Sequence, residues 1–157
     1  MCGKMDFSNQ VVIVEYGPAT GVFTEYLLKR MSADSLLIAV ELNENFAKYL
    51  KEHIQDPRLR VHHDNAAHID SIMASYGKKA NYVLSGIPFS LIPDKTRSEI
   101  VKKTHDILHE GGKFIAYQTF FQRDKHLFDH LNKHFSSVDD QYFLKNIPPM
   151  RVYEAVK

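Results

Sequence analysis

Residues 11–21 constrain the fold of this chain more than any other stretch. Val11-Val12-Ile13-Val14 is a run of β-branched side chains without polar alternation, the pattern of a strand buried on both faces. Gly17-Pro18-Ala19-Thr20-Gly21 follows as a small-residue turn, and a helical pattern opens at Thr20. A strand that enters such a turn and leaves as a helix lets a ligand approach the backbone closely, beside free N–H groups at the helix start. On its own the loop is also compatible with an ordinary strand-to-helix turn, because a lone glycine motif is a weak signal.

The next apolar run, Ser35 to Val40, ends in Glu41, about 20 residues beyond Gly21. A carboxylate at the end of a second strand can accept both hydroxyls of a ribose. Strands are expected near 11–16, 35–41, 59–63, 81–86 and 112–119, with two more near 137–144 and 150–156. Helices are expected between them. The first, 20–32, should present Val22, Phe23, Tyr26, Leu27 and Leu28 on one apolar face. The second, 43–54, should start at an Asn43 cap and bury Phe46, Leu50 and Ile54. Two more are expected over 94–109, stopped by Gly111-Gly112, and over 124–134. The segment 145–149 is too short for a parallel crossover, so the last two strands must form a hairpin. The expectation is an α/β fold: a Rossmann-like, doubly wound, mostly parallel seven-stranded sheet ending in an antiparallel hairpin.

At 157 residues the chain fits one domain, read as a tail over 1–10 and a folded unit over 11–157. With 20 basic and 19 acidic side chains the net charge is +1, so no global field draws it to nucleic acid or an anionic membrane. Cys2 is the single cysteine, which excludes an internal disulfide and suits a reducing, cytoplasmic setting. Neither a signal peptide nor an apolar run long enough to span a bilayer is present. His62, His63, Asp64 and His68 invite a metal reading, but adjacent strand residues point to opposite faces, so His62 and His63 cannot share an ion without a bulge. Asp64 can also cap the helix that follows.

Counted from Gly17, the glycine spacing of a dehydrogenase fails at Ala19 and Val22. What stands instead is an acidic residue, Glu15, then Gly17, Ala19 and Gly21 at alternate positions. This resembles the first motif of the class I S-adenosylmethionine-dependent methyltransferases. The resemblance implies that Glu15 lies near the methionine ammonium and that Tyr16, Gly17, Ala19, Thr20 and Gly21 pass close to the ligand. It also implies that Glu41 and Leu42 hold the ribose end, that Asp64, Asn65 and Ala66 meet the adenine, and that Ser85 adjoins the cofactor. The cofactor would be S-adenosylmethionine, and S-adenosylhomocysteine its product.

The end of the fourth strand, Ser85-Gly86-Ile87-Pro88-Phe89, then bears on the acceptor. Enzymes that methylate adenine amines carry Asn or Asp where this chain has Gly86, and glycine offers no side-chain acceptor, which disfavours a base substrate. Ser85-Gly86-Ile87-Pro88, with Ser90 to Pro93 and the late Lys145 to Tyr153, instead resembles bacterial and archaeal phospholipid N-methyltransferases. That likeness implies an amine acceptor such as phosphatidylethanolamine, with Ser85 and the Gly86 and Ile87 carbonyls positioning the amine. Phe89, Tyr117 and Phe120 would line the entrance, or serve as core. RNA adenine methylation and a cofactor-binding domain without catalysis are the alternatives.

Members of the lipid group carry a longer leader with an amphipathic segment. Here Lys4, Met5 and Phe7 are too little for an interfacial helix. Three readings stay open: a shortened form, peripheral membrane contact through another surface, or a different acceptor.

Overall fold

The structure is a computed structural model and describes residues 5–119, 126–143 and 149–157. Seven strands form one sheet: β1 (Val12–Tyr16), β2 (Leu36–Glu41), β3 (Leu59–His63), β4 (Ala80–Ser85), β5 (Leu108–Thr119), β6 (Ser137–Phe143) and β7 (Met150–Val156). Five α-helices accompany them: α1 (Val22–Leu28), α2 (Glu44–His53), α3 (Ile69–Tyr76), α4 (Asp94–Ile107) and α5 (His126–His134). The strand order is β3-β2-β1-β4-β5-β7-β6, parallel except where β7 runs against both β5 and β6. This is the doubly wound sheet with a closing hairpin that the sequence predicts.

Burial follows sheet position. Every residue of the interior strand β1 is buried, so its β-branched run faces protein on both sides. The edge strand β6 alternates exposed with half-buried positions along most of its length. Successive side chains point to opposite faces, which divides the core in two. Val14, Tyr16, Val83, Phe114 and Tyr153 pack towards α3, α4 and α5. Ile13, Leu37, Leu84, Ile115 and Val152 pack on the other face with Leu27 and Leu28 of α1. Burying one such aliphatic side chain is worth about 1.5–3 kcal/mol.

Several boundaries differ from expectation for local reasons. Helix α1 starts only after Gly21, whose left-handed φ of 83° keeps Thr20 outside it. It ends at Leu28 because the N–H groups of Arg30 and Met31 both turn back to the Leu27 carbonyl. Val22 and Tyr26 are exposed rather than on the apolar face. In α2 the Asn43 cap is as expected, accepting from the N–H groups of Asn45 and Phe46. Leu50 is buried, whereas Phe46 is exposed and Ile54 half-buried. Helix α4 stops at Ile107, ahead of the glycine pair, because β5 already starts at Leu108 and pairs with Ala80 before its register shifts. The turn after β3 is capped by Asn65, whose side chain accepts from the Ala67 N–H, and not by Asp64. Cys2, Phe120 and residues 145–148 lie outside the described residues.

Strands β2 and β3 lie on one side of β1, and β4 lies on the other. A crevice opens at the carboxyl ends of the strands at that reversal, where α/β sheets bind ligands.

Candidate active site

A cavity of about 780 Å³ occupies this crevice, in the size range of small-molecule sites. Its wall runs from Gly17 and Ala19 through Glu41 and Asp64 to Gly86 and Ile87. Leu42, Asn65, Ala66 and Pro88 also face it.

Six of the sequence-predicted residues sit elsewhere, Glu15 (described below) among them. Tyr16 is fully buried, its hydroxyl 3.0 Å from Thr104 Oγ1 on the α4 side, so it offers the crevice only backbone. Gly21 packs against Leu50 and Ile54, and Thr20 is exposed in the loop. Phe89 is wholly buried in an edge contact with Phe114 and does not line the cavity. Ser85 is fully buried, and its hydroxyl has no hydrogen-bond partner among the described residues.

Asn43, Phe46, Ile92 and Thr96 line the cavity and were not anticipated as site residues. For Asn43 and Phe46 the available signal is their place just after Glu41, at the end of the second strand. The loop packing that brings in Ile92 and Thr96 leaves no such mark.

Glu41 is the best-anchored polar group here. It is 6% exposed, and its two oxygens accept from the Ala19 N–H at 3.0 Å and the Asn43 N–H at 2.8 Å. Ala19 has a φ of 50°, unusual without glycine, and its bond to Glu41 holds the loop in that shape. A carboxylate has about four acceptor positions, so two remain for a diol. Gly17 leaves the loop low: a Cβ there would meet Ile87 Cγ2 at 2.8 Å. Asp64 accepts from the Asn65 N–H and from His68 Nδ1, and the His68 contact foremost holds its carboxyl below the usual range. His62 and His63 turn to Tyr76 and to the Leu42 carbonyl, so the neighbouring histidines have separate partners.

Glu15 lies beneath the loop, 1% exposed and outside the cavity lining. Its Oε2 accepts from Thr24 Oγ1 at 2.7 Å, while Oε1 has no partner among the described residues. Burial pushes its pKa up to about 7; the Thr24 hydrogen bond opposes the rise and the charge of Glu41 adds to it. Between about pH 4.5 and 7 folded Glu15 therefore holds a proton that the unfolded chain has lost. Its contribution to stability is full below about 4.5 and is lost as pH rises through 7, a swing of roughly 3 kcal/mol. Glu15→Gln should accordingly be more stable than the parent at pH 8, by roughly 1–3 kcal/mol, and lose that advantage near pH 4.5. Urea titrations at the two pH values check this; an advantage that does not change with pH would show that folding leaves the ionisation of Glu15 unchanged.

These features fit the proposed cofactor. A fixed buried carboxylate suits a ribose, and a side-chain-free loop admits close backbone approach, whereas Glu15 lies beneath the loop and outside the cavity lining.

Comparisons with known proteins show the family and the fold. A family model described as "Methyltransferase domain" matches residues 13–112. The ornithine lipid N-methyltransferase of Singulisphaera acidiphila is 25% identical over 159 residues, covering 96% of this chain and 78% of that protein. Among solved structures, the N-methyltransferase NodS of Bradyrhizobium japonicum superposes with a TM-score of 0.75 at 12% identity, covering 96% of this chain and 88% of that one. Magnesium protoporphyrin IX methyltransferase of Synechocystis, with S-adenosylmethionine bound, gives 0.69 at 12% identity, covering 94% and 70%. At such identities the structural likeness speaks to the fold.

Proposed function

The chain belongs to the methyltransferase-domain family and is an S-adenosylmethionine-dependent enzyme; from that premise we propose that its acceptor is an amine nitrogen on a lipid headgroup, such as phosphatidylethanolamine. The observation that carries this reading is the apolar mouth of the cavity. Leu42, Phe46 and Leu91 line it, with Leu91 79% and Leu42 67% exposed. Exposed apolar side chains around a ligand site suit an interaction surface, and a lipid surface would cover them. The mouth would also provide peripheral membrane contact, and no helix among the described residues is long and apolar enough to cross a membrane. The likeness to a lipid N-methyltransferase supports the same substrate class.

The bound sulfonium supplies an electrophilic methyl group and leaves as a neutral thioether. The protein must orient the amine in line with it and exclude water, and neither task needs a strong base. In this reading Glu41 would hold the ribose, and Asp64 with the Asn65 backbone would hold the adenine. Ile87, Ile92 and Ile100 form the apolar wall that keeps the acceptor end dry. The amine attacks as the neutral base, its lone pair forms the N–C bond, and the extra proton passes to solvent.

Phe89 weighs against an RNA base. A ring with no exposure cannot stack on a flipped adenine without leaving Phe114.

Transfer of labelled methyl from S-adenosylmethionine to vesicles containing phosphatidylethanolamine or ornithine lipid tests the reading, with adenine-containing RNA as comparison. Methylated headgroup is expected. Methylation of RNA alone would overturn the acceptor, and cofactor binding without any turnover would point to the non-catalytic alternative.

A further inference from the structure

Five residues with polar side chains line the cavity: Glu41, Asn43, Asp64, Asn65 and Thr96. Four of them stand at or just after the ends of β2 and β3, and their side chains already hold neighbouring backbone. Glu41 accepts from the Ala19 and Asn43 N–H groups, Asn43 caps α2, Asp64 accepts from the Asn65 N–H, and Asn65 accepts from the Ala67 N–H. Thr96 is the exception. It lies half-buried on α4, and its hydroxyl has no hydrogen-bond partner among the described residues.

The wall around it is apolar. Ile92 stands four residues before Thr96 and Ile100 four residues after, and both line the same cavity, as do Ile87 and Pro88 from the loop after β4. Thr96 and Ile100 are one turn apart on α4 and so share a face of that helix. Helix α4 starts from Pro93 without a side-chain cap, so the hydroxyl does not serve the helix end. An acceptor that displaces water from this wall leaves the hydroxyl unpaired unless the acceptor itself supplies a partner.

We propose that Thr96 Oγ1 accepts a hydrogen bond from the acceptor amine and thereby selects amines that still carry an N–H, an inference that rests on the amine reading above. A hydroxyl oxygen has two lone pairs for such a donor. With one N–H held there, the nitrogen lone pair is free to point at the methyl group. As the N–C bond forms and the S–C bond breaks, the nitrogen becomes positive and its N–H a stronger donor. The bond to Thr96 is therefore stronger in the transition state than before it, which raises kcat. The thioether leaves with the S–C electron pair, the extra proton passes to solvent, and no bond to Thr96 forms or breaks. A neutral primary amine has two N–H groups and its monomethyl product one, whereas the dimethyl product has none. Thr96 thus favours the first two transfers over a third.

Thr96→Val keeps the branched side chain and removes only the hydroxyl. On vesicles containing phosphatidylethanolamine or its N-monomethyl form, its kcat is expected to fall about tenfold. On the N,N-dimethyl form it should match the parent. Thr96→Ser, which keeps the oxygen, should stay within about threefold of the parent on all three lipids. Affinity of Thr96→Val for S-adenosylhomocysteine, by calorimetry, and its melting temperature should stay at parent values. An unchanged kcat in Thr96→Val, an equal fall on all three lipids, or a serine variant as slow as the valine one overturns this inference and leaves the acceptor reading standing. On a parent that stops at the dimethyl lipid the serine variant decides. Weakened S-adenosylhomocysteine binding would make Thr96 a cofactor contact and overturn its role towards the amine. A parent that methylates none of these lipids overturns both readings.

Discussion

Glu41→Ala is expected to weaken binding of S-adenosylhomocysteine by roughly 100-fold, because hydrogen bonds to a charged group contribute about 1.5–3 kcal/mol each and 1.4 kcal/mol is tenfold in affinity. Two effects combine. The ribose would lose its acceptor, and the N–H groups of Ala19 and Asn43 would lose theirs, releasing the loop that forms one wall of the cavity. Glu41→Gln should fall between the parent and Glu41→Ala, since the amide oxygen can keep one backbone N–H while its NH₂ opposes the other. Calorimetric titration with S-adenosylhomocysteine decides the matter. A Glu41→Ala affinity within threefold of the parent would remove Glu41 from the site.

Gly21→Ala should cost the largest stability of any single methyl addition considered for this loop, about 2–5 kcal/mol. The left-handed φ of 83° contributes about 1–2 kcal/mol of that. The rest is crowding, because a Cβ would lie 2.6 Å from Ile54 Cδ1 and 2.7 Å from Leu50 Cδ2, and Leu50 is fully buried. Overpacking of this kind typically costs about 1–3 kcal/mol. Gly77 provides the control: its φ is 60°, but nothing lies within 4 Å of the added carbon. Gly77→Ala should therefore cost only the torsional part. In thermal unfolding Gly21→Ala is expected to melt about 5–15 °C below the parent, at about 2–4 °C per kcal/mol. Equal melting temperatures for the two variants would show that α2 does not press on the loop.

The same loop shows how far local pattern reaches. A short-range rule identified Val11 to Val14 as a doubly covered strand, and the following turn had to carry glycine wherever φ is positive. Ala19 broke that rule. Its φ of 50° is stabilised from outside the loop by Glu41, a partner 22 positions away that no spacing within the loop announces. Phe89 and Phe46 show the complementary failure. Both are aromatic residues in apolar surroundings, yet one is sealed in the core and the other stands on the cavity wall. Residue type and periodicity do not distinguish the two, because burial depends on which element lies above.

The sequence by itself determined the alternation of strands and helices, the closing hairpin and the carboxylates at strand ends. These follow from side-chain period and chain length, which are local. Only the tertiary structure decided the strand order, the turning of Tyr16 towards Thr104 and the placement of the Tyr117 hydroxyl over Gly86. Each depends on residues far apart in the chain meeting across a sheet, and the orientation of a side chain there is set by the neighbouring strand and the covering helix.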